Sequence, residues 1–438
     1  MILKTNIYAV SIAAAALSVL ALLPISVYAN ESGCVSSYDS SIDYFPDKVE
    51  SKYASGFDIT YKGNAKYIRN SISGETYVLY QCGTPAPADV VPTPASSLQV
   101  GNWTKLFAVP GSKVALDSAP ASAAIELLGA QASVAAAYKY FAVTSPCMQR
   151  QLDGLPRIQQ NFGTPSTRRR RSSSTSDSSR LMRRVSYDVS SLGLQWTFTT
   201  YGMNDPYSIA VNPEDATDML GKAEWIKFVA AFYNKEAEAN TIFAGIESRY
   251  NALKASASAS RATKRAIGLA RYNKVANGTV LGWSIDQVQP WLAQGLADAG
   301  LSAYSGDTTS FRSASDFYKA ISSWDIMIDT SGEPLPRGGA AIPEWSNLVS
   351  GYGFTSSGGR DFAKQLPVVA DSAIYRSDLI SSYQNATDYN EHVQIQVDVL
   401  LGDFVKIASA ASGTKDTKWY RNLPKQVPVG WVSASNCK

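Results

Sequence analysis

A segment with helical periodicity, Glu214 to Lys254, most constrains the fold because it lies mid-chain between two halves of similar length. Pro213 and the acidic Glu214 and Asp215 suit a helix start, since proline fits the first turn and acidic groups favour the helix dipole. Spacings of three and four residues predict one long helix or two end-to-end helices. The apolar positions with this spacing fall in two sets, Met219, Ala223, Ile226, Ala230, Tyr233 and Ala237, then Phe243, Ile246, Tyr250 and Leu253.

Each half alternates strand-like runs with helix-like runs, which predicts βαβ crossovers and parallel pairing. The expected fold class is α/β, with two lobes of mainly parallel sheets joined by a long inter-lobe helix. The strand candidates are 57–61, 77–80, 105–109, 141–143, 279–284, 324–329 and 373–375. The helix candidates are 121–129, 290–300, 315–322 and 392–408.

These elements predict four regions in the chain. They are a signal peptide at 1–29, an N-terminal α/β lobe at 30–213, a linking helix region at 214–254 and a C-terminal α/β lobe at 255–438.

The N-terminus has the pattern of a secretory signal. Lys4 supplies a positive charge, an apolar run follows from Ile12 to Leu23, and Val27 to Ala29 forms a small-x-small cleavage site. The run is short for a hydrocarbon core of about 30 Å, which disfavours a retained anchor. We therefore expect cleavage after Ala29 and a secreted, extracellular, monomeric protein.

Asn-x-Ser/Thr sequons predict surface glycosylation if the host is eukaryotic. They lie at Asn102, Asn277 and Asn385, with a further one at Asn30 beside the cleavage site.

Four cysteines remain in the mature chain, and an even number in an oxidising compartment favours two disulfides. Four cysteines allow three pairings. Cys34 and Cys437 lie at opposite ends of the chain, and domain termini are often close together. We therefore expect the pairs Cys34–Cys437 and Cys82–Cys147, with free buried thiols as the alternative.

An arginine- and serine-rich run at 164–184 lacks periodicity and is expected to be a disordered loop. Its arginines lie between Arg168 and Arg184 and give it a net charge of +6, against +3 for the whole chain. Because a nucleic-acid binder spreads basic residues along a face, we exclude nucleic acid as a partner. Cleavage by a proprotein convertase after Arg171 and an uncut, solvated loop remain alternatives.

The sequence disfavours an enzyme. It contains no Gly-x-Ser-x-Gly elbow and no Gly-x-x-x-x-Gly-Lys phosphate loop. His392 is the single histidine, and the sequence offers no nucleophile motif with which it could pair. A single histidine also disfavours a dedicated zinc site. We expect no catalytic residues, no metal site and no cofactor. A hydrolase that uses paired carboxylates stays open, because carboxylate spacing is set in three dimensions.

Several motifs together resemble the class III, helical-backbone periplasmic binding proteins, and among these the secreted members of fungi and other eukaryotic microbes. The motifs are the run 43–48 with Tyr53 and Gly56-Phe57, the run 80–85, and the runs 224–228 and 232–237. The family binds ferric siderophores, corrinoids, haem or metal ions for uptake. The resemblance implies a largely preformed cleft between two lobes and a membrane transporter or receptor as partner.

The resemblance, together with the rule that ligands lie beyond the carboxyl ends of parallel strands, gives a set of candidate ligand residues. Aromatic groups and an arginine would suit an anionic ferric siderophore. The alternative to ligand binding is that Trp283 is a core residue and that Asp329 caps a turn. The candidates are Gly83, Thr84, Ser145 and Cys147 in the first lobe, and Trp283, Asp329, Thr330, Tyr375 and Arg376 in the second.

We therefore expect a secreted solute-binding protein that captures a ferric siderophore, a corrinoid or a related chelate between its lobes. The alternative is an extracellular interaction or structural protein that retains this fold without a ligand.

Overall fold

The structure is a computed structural model. It describes residues 33–94, 102–138, 142–158, 160–162, 185–187, 189, 191–202, 205–259, 264–275, 278–331, 345–354, 362–384, 386–409 and 417–438. The signal peptide, Asn30, Asn277, Asn385, Phe141 and the arginine run with Arg171 lie outside the described residues. Asn102 is described, and it is exposed.

The first lobe combines a mixed sheet with a parallel sheet. Its strands are β1 (Phe57–Lys62), β2 (Ala65–Asn70), β3 (Glu75–Gln81), β4 (Thr104–Val109), β5 (Val114–Asp117), β6 (Val134–Tyr138), β7 (Arg157–Ile158), β8 (Gln160–Phe162), β9 (Val185–Tyr187), β10 (Trp196–Thr199) and β11 (Ser208–Ala210). Its helices are α1 (Ala119–Leu127) and α2 (Pro146–Leu152).

The mixed sheet has the order β1-β2-β3-β4, in which β3 and β4 are parallel. The second sheet has the order β11-β10-β5-β6-β7 and is parallel throughout. α1 follows β5 directly, and the side chain of Ser118 caps it by accepting the N–H of Ala121.

The linking region contains three helices rather than one or two. They are α3 (Met219–Ala223), α4 (Trp225–Ala231) and α5 (Glu236–Ala259). The chain turns between α4 and α5 at Asn234, which has a φ of 53°. Asparagine is one of the few residues that adopt this left-handed conformation readily. Periodicity therefore predicted the helical segment but not its divisions.

α5 is attached to both lobes. At its start, Glu236 forms a buried ion pair with Lys66 of β2. Burial lowers the pKa of Lys66 to about 8, even though the Glu236 carboxylate opposes this shift. Farther along α5, Arg249 Nε lies 2.6 Å from Asp398 Oδ2, and Tyr250 donates a hydrogen bond of 2.6 Å to Asp298.

The second lobe is built on a mixed sheet with the order β15-β13-β12-β16-β17-β19, and β14 also pairs with β12. Its strands are β12 (Arg265–Lys274), β13 (Val280–Asp286), β14 (Leu301–Ala303), β15 (Thr309–Phe311), β16 (Ile326–Asp329), β17 (Ile374–Arg376), β18 (Ile380–Ser382), β19 (Arg421–Asn422) and β20 (Gly430–Val432). Its helices are α6 (Pro290–Asp298), α7 (Ala314–Ala320), α8 (Trp345–Tyr352), α9 (Phe362–Gln365), α10 (Pro367–Ala370), α11 (Asp388–His392) and α12 (Val397–Ser409).

The fold class is confirmed as α/β with mostly parallel sheets. β12, β14, β16 and β17 pair in parallel, and every residue of the apolar strand β16 is buried, as expected of a central parallel strand. β13 differs in direction, because it forms an antiparallel hairpin with β12. The predicted helix 392–408 is divided into α11 and α12. Among the described helices, none combines the length and apolar character needed to cross a membrane.

One apolar core extends through both lobes. It includes Val114 and Trp196 in the first lobe, Phe228 in α4, and Ile326 and Phe404 in the second lobe. A smaller apolar cluster lies in the second lobe around Phe317, Tyr352 and Ile374. The predicted domain boundaries stay predictions, since this core is continuous across them.

The predicted disulfide pairing is wrong. Cys34 pairs with Cys82, and Cys147 pairs with Cys437. The N-terminal segment lies along the end of β3, where Val35 N–H donates a 3.0 Å hydrogen bond to the carbonyl of Cys82. At the other end of the chain, residues Ala434–Asn436 pack against α2, which begins beside Cys147. Each terminus therefore forms a disulfide with a segment of the first lobe, Cys34 with the end of β3 and Cys437 with the start of α2. The two termini are not joined to each other.

Candidate functional site

Polar side chains from both lobes meet where the carboxyl ends of first-lobe strands face the second lobe. We call this group the seam cluster and define it as Ser122, Glu126, Thr144 and Ser145 from the first lobe with Asp388, Glu391 and His392 from the second. α1 follows the end of β5 and presents Ser122 and Glu126, while Thr144 and Ser145 precede α2. α11 follows β17 and β18 in the second lobe and supplies the other three residues.

Glu391 is the centre of the seam cluster. Its Oε1 accepts a 3.0 Å hydrogen bond from Ser122 Oγ. Its Oε2 accepts bonds of 2.7 Å from Thr144 Oγ1 and 3.2 Å from the N–H of Ser145. A buried carboxylate is costly unless it is fully hydrogen-bonded. Here the donors come entirely from the other lobe, so Glu391 fastens α11 to the first lobe.

His392 connects two further carboxylates. Its Nδ1 lies 3.0 Å from Asp388 Oδ1, and its Nε2 lies 3.3 Å from Glu126 Oε2. Burial alone would lower the pKa of His392, but the hydrogen bonds to Asp388 and Glu126 outweigh burial and raise it to about 10. The imidazole is therefore an imidazolium at neutral pH.

The pKa values of the two carboxylates next to His392 shift in the opposite direction. Burial raises the pKa of Asp388, yet the hydrogen bond and charge of His392 outweigh it, so the pKa is lowered. The pKa of Glu126 is also lowered, because His392 and Ser145 together outweigh its partial burial. Asp388 additionally accepts a 2.8 Å hydrogen bond from Trp419 Nε1. Within the seam cluster, His392 and its two neighbouring carboxylates therefore stabilise one another as ions.

Glu126, Glu391 and His392 each offer one potential metal-ligand atom, and these atoms lie within 4.8 Å of one another. His392 lies between Asp388 and Glu126, so these residues also form an ionic contact between the lobes. The expected absence of a metal site stays a prediction.

Of the predicted ligand residues, Ser145 belongs to the seam cluster. Its Oγ donates a 2.6 Å hydrogen bond to Glu126 and accepts the N–H of Met148 at the start of α2. Cys147, two residues later, is held in the disulfide with Cys437. These two positions lie at the lobe boundary, and their role in ligand binding stays a prediction.

Asp329 and Arg376 form a second buried polar group within the second lobe. Arg376 Nη1 donates a 3.0 Å hydrogen bond to Asp329 Oδ2, and Nη2 donates one of 2.9 Å to the carbonyl of Ser331. Asp329 Oδ1 accepts bonds from Tyr352 and Ser331. Burial raises the pKa of Asp329, and the charge of Arg376 offsets only part of this shift.

The neighbouring candidates differ in exposure. Thr330 is exposed, and its Oγ1 donates a 2.6 Å hydrogen bond to Asp286. Tyr375 is buried in β17. Trp283 is partly buried, stacks on Phe317 with ring centroids 6.1 Å apart, and donates its indole N–H to the carbonyl of Gly351.

Gly83 and Thr84 lie at a third place, at the turn after β3. Gly83 has a φ of 87°, and a Cβ at this position would come within 1.9 Å of the Val35 carbonyl oxygen. Thr84 Oγ1 donates to the carbonyl of Gln81 and accepts a 2.6 Å hydrogen bond from Asn64. The sequence candidates are therefore distributed over three places, and their role in binding stays a prediction.

A cavity of about 260 Å³ adjoins the seam cluster and is lined by both lobes. We call it the seam pocket. Its lining includes Val143, Gln149, Asp153 and Arg157 from the first lobe and Gln384 and Ala434 from the second. A larger cavity of about 480 Å³ lies within the first lobe, between β4 and the start of β10.

Five residues of the seam cluster were not among the sequence candidates: Ser122, Glu126, Thr144, Asp388 and Glu391. Thr144 directly precedes the predicted Ser145, so the same strand-end argument covers it. Glu391 lies 247 residues from Thr144, and no local pattern indicates that contact.

Comparison with known proteins gives structural likeness only. No protein-family model matches the chain, and no curated protein sequence matches it. The iron-uptake system-binding protein FeuA from Bacillus subtilis is 13% identical with a TM-score of 0.43, and the match covers 70% of this chain and 98% of that one. A periplasmic heme binding protein from Pseudomonas aeruginosa is 10% identical with a TM-score of 0.44, covering 70% and 96%. A possible iron-binding (periplasmic solute-binding) protein from Staphylococcus epidermidis is 10% identical with a TM-score of 0.41, covering 69% and 100%.

Proposed function

We propose that this protein is a secreted solute-binding protein that holds a small ligand between its two lobes. The observation that carries the proposal is that strand ends of the two lobes face each other. Segments after β5 and β6 contact elements that follow β17, and both sides supply polar groups. In open α/β sheets, ligands bind beyond the carboxyl ends of the strands. The attachment of α5 to both lobes supports a cleft that is largely preformed.

The ligand class in this proposal is an anionic chelate such as a ferric siderophore, with a corrinoid as a related possibility. Thr330, the exposed residue that follows β16, is the ligand-side group that we assign first. The partner would be a membrane transporter or receptor, and the protein would act as a monomer of the class III, helical-backbone type, secreted as in eukaryotic microbes.

Native mass spectrometry of the protein from its own host tests the proposal. We expect an additional mass that is lost on denaturation, or that appears after addition of a ferric hydroxamate siderophore, a corrinoid or haem. A bare mass throughout this panel would overturn the proposal.

A variant pair locates the site. Thr330→Val removes the hydroxyl at nearly constant volume and should weaken binding about threefold to tenfold, the range for one lost hydrogen bond. Thr309→Val is the control, because Thr309 is also exposed and its hydroxyl bonds only locally, to the carbonyl of Asp307. Equal affinities for the two variants would remove Thr330 from the site.

A ligand-free interaction protein is the second candidate function. The observation that favours it is the mutual pairing of the buried polar groups: Glu391 is held by three residues of the first lobe, and Asp329 is paired with Arg376. This candidate predicts the bare mass throughout the ligand panel.

A further inference from the structure

The disulfide Cys147–Cys437 connects the two lobes, whereas Cys34–Cys82 is local. The first joins residues 290 positions apart, and the second joins residues 48 positions apart. Cys147 lies in the first turn of α2 in the first lobe. Cys437 lies at the end of a tail, residues 430–438, that leaves the second lobe through β20.

Besides the disulfide, the tail is attached by the packing of Ala434–Asn436 on α2 and by a few contacts of β20. β20 pairs with β18 over three residues, and Trp431 stacks on Tyr383 with ring centroids 5.2 Å apart. Arg150 of α2 donates a hydrogen bond to the carbonyl of Cys437. Residues 430–438 are all described, and each is exposed or only partly buried. Segments with few buried contacts open at low free-energy cost.

The tail also contributes to the lining of the seam pocket. Ala434 lines this cavity of about 260 Å³ together with Gln149 and Asp153 of the first lobe. Release of the tail would remove Ala434 from this lining. Cys147 and Cys437 are both partly exposed, so a reductant can approach the disulfide.

We propose that Cys147–Cys437 is a redox-controlled clasp that holds residues 430–438 on α2, beside the seam pocket. A dithiol reductant opens it and releases residues 430–438 from α2, and oxidation closes it again. The apolar core shared by the lobes contains no residue of the tail, so opening leaves the rest of the fold in place. This inference does not depend on the proposed function, because it requires no ligand.

The chemistry is ordinary thiol–disulfide exchange. One thiolate of the dithiol attacks a sulfur of the disulfide, breaks the S–S bond and forms a mixed disulfide. The second thiol of the reductant then displaces the remaining cysteine. Cys147 and Cys437 gain two electrons and two protons as thiols, and the dithiol becomes a cyclic disulfide.

Hydrogen exchange of the full chain, followed by mass spectrometry with graded dithiothreitol, tests the clasp. We expect exchange at 430–438 to rise at least tenfold as Cys147 and Cys437 become alkylatable, with a smaller rise at 142–152. The double variant Cys147→Ser, Cys437→Ser should show the fast exchange without reductant and no further rise in these segments with it.

The control is Cys34→Ser with Cys82→Ser, which removes the local disulfide. This variant should keep slow exchange at 430–438 until dithiothreitol is added, and should differ from the wild type mainly near 33–36 and 81–84. In the wild-type protein, exchange at 430–438 that stays as slow after alkylation of Cys147 and Cys437 as before it would overturn the proposal. This measurement needs no variant, so it decides the matter even if a variant fails to fold.

Discussion

The seam cluster and the Asp329–Arg376 group are both buried, charged and close to strand ends. The first joins the two lobes, and the second joins elements within the second lobe. Glu391 takes its hydrogen bonds from residues of the other lobe, whereas Asp329 takes its own from Arg376, Tyr352 and Ser331 of the same lobe. Similar chemistry therefore stabilises the contact between lobes in one case and the interior of one lobe in the other. The comparison shows that burial and charge alone do not identify a ligand site.

Arg376→Met gives the largest expected effect. Removing one partner of a buried pair leaves Asp329 uncompensated and should lower the free energy of unfolding by about 3–5 kcal/mol. Urea denaturation measures this loss. Lys319→Met is the control, because its pair with Asp316 is exposed on both sides and should contribute about 1 kcal/mol or less. Equal losses in the two variants would contradict the difference between buried and exposed pairs.

His392 makes the seam cluster sensitive to alkaline pH. The pKa of His392 is raised from 6.5 to about 10, so its stabilisation is fully present below pH 6.5 and is lost as the pH rises through about 10. The difference in unfolding free energy between the wild type and His392→Gln should shrink by on the order of 2–3 kcal/mol between pH 7 and pH 10. Taking this difference cancels the titration of other groups, including Lys66. A constant difference across this range would show that His392 is not charged in the fold.

Glu391→Gln tests the contact between lobes more finely. An amide cannot accept all the donors that surround the carboxylate, so we expect a loss of about 2 kcal/mol. Hydrogen exchange should rise at 118–126 and 142–146, which Arg376→Met should leave unchanged. Glu238→Gln is the control, because Glu238 is half exposed and forms an ion pair with Lys235 one turn away on the same helix. A stability loss without faster exchange at these segments would place the effect of Glu391 within its own lobe.

Local patterns in the sequence were enough to predict the elements with strong signals. The apolar run at β16 and the proline-led helix α6 appear close to their predicted bounds. β12 was not predicted, because Arg265, Arg271 and Lys274 interrupt its apolar residues, and only pairing with β13, β14 and β16 makes it a central strand.

The site was less predictable than the fold because its contacts are long-range. The strand-end rule led to Ser145, but its neighbour Glu391 is reached only when the second lobe folds against the first. The predicted disulfide pairing was wrong for a related reason: it required the two termini to meet, whereas the tail returns to α2 and Cys34 stays beside β3. Neither route can be read from cysteine spacing.

The apolar core that crosses from Val114 to Phe404 has a consequence for how the chain can be divided. A fragment that ends after α5 would expose the apolar surface that normally packs against the second lobe, and the complementary fragment would expose the matching surface. The second lobe keeps its smaller cluster around Phe317, but the shared core is incomplete in either half. We therefore expect separate expression of either lobe to yield aggregation-prone protein instead of an independent domain.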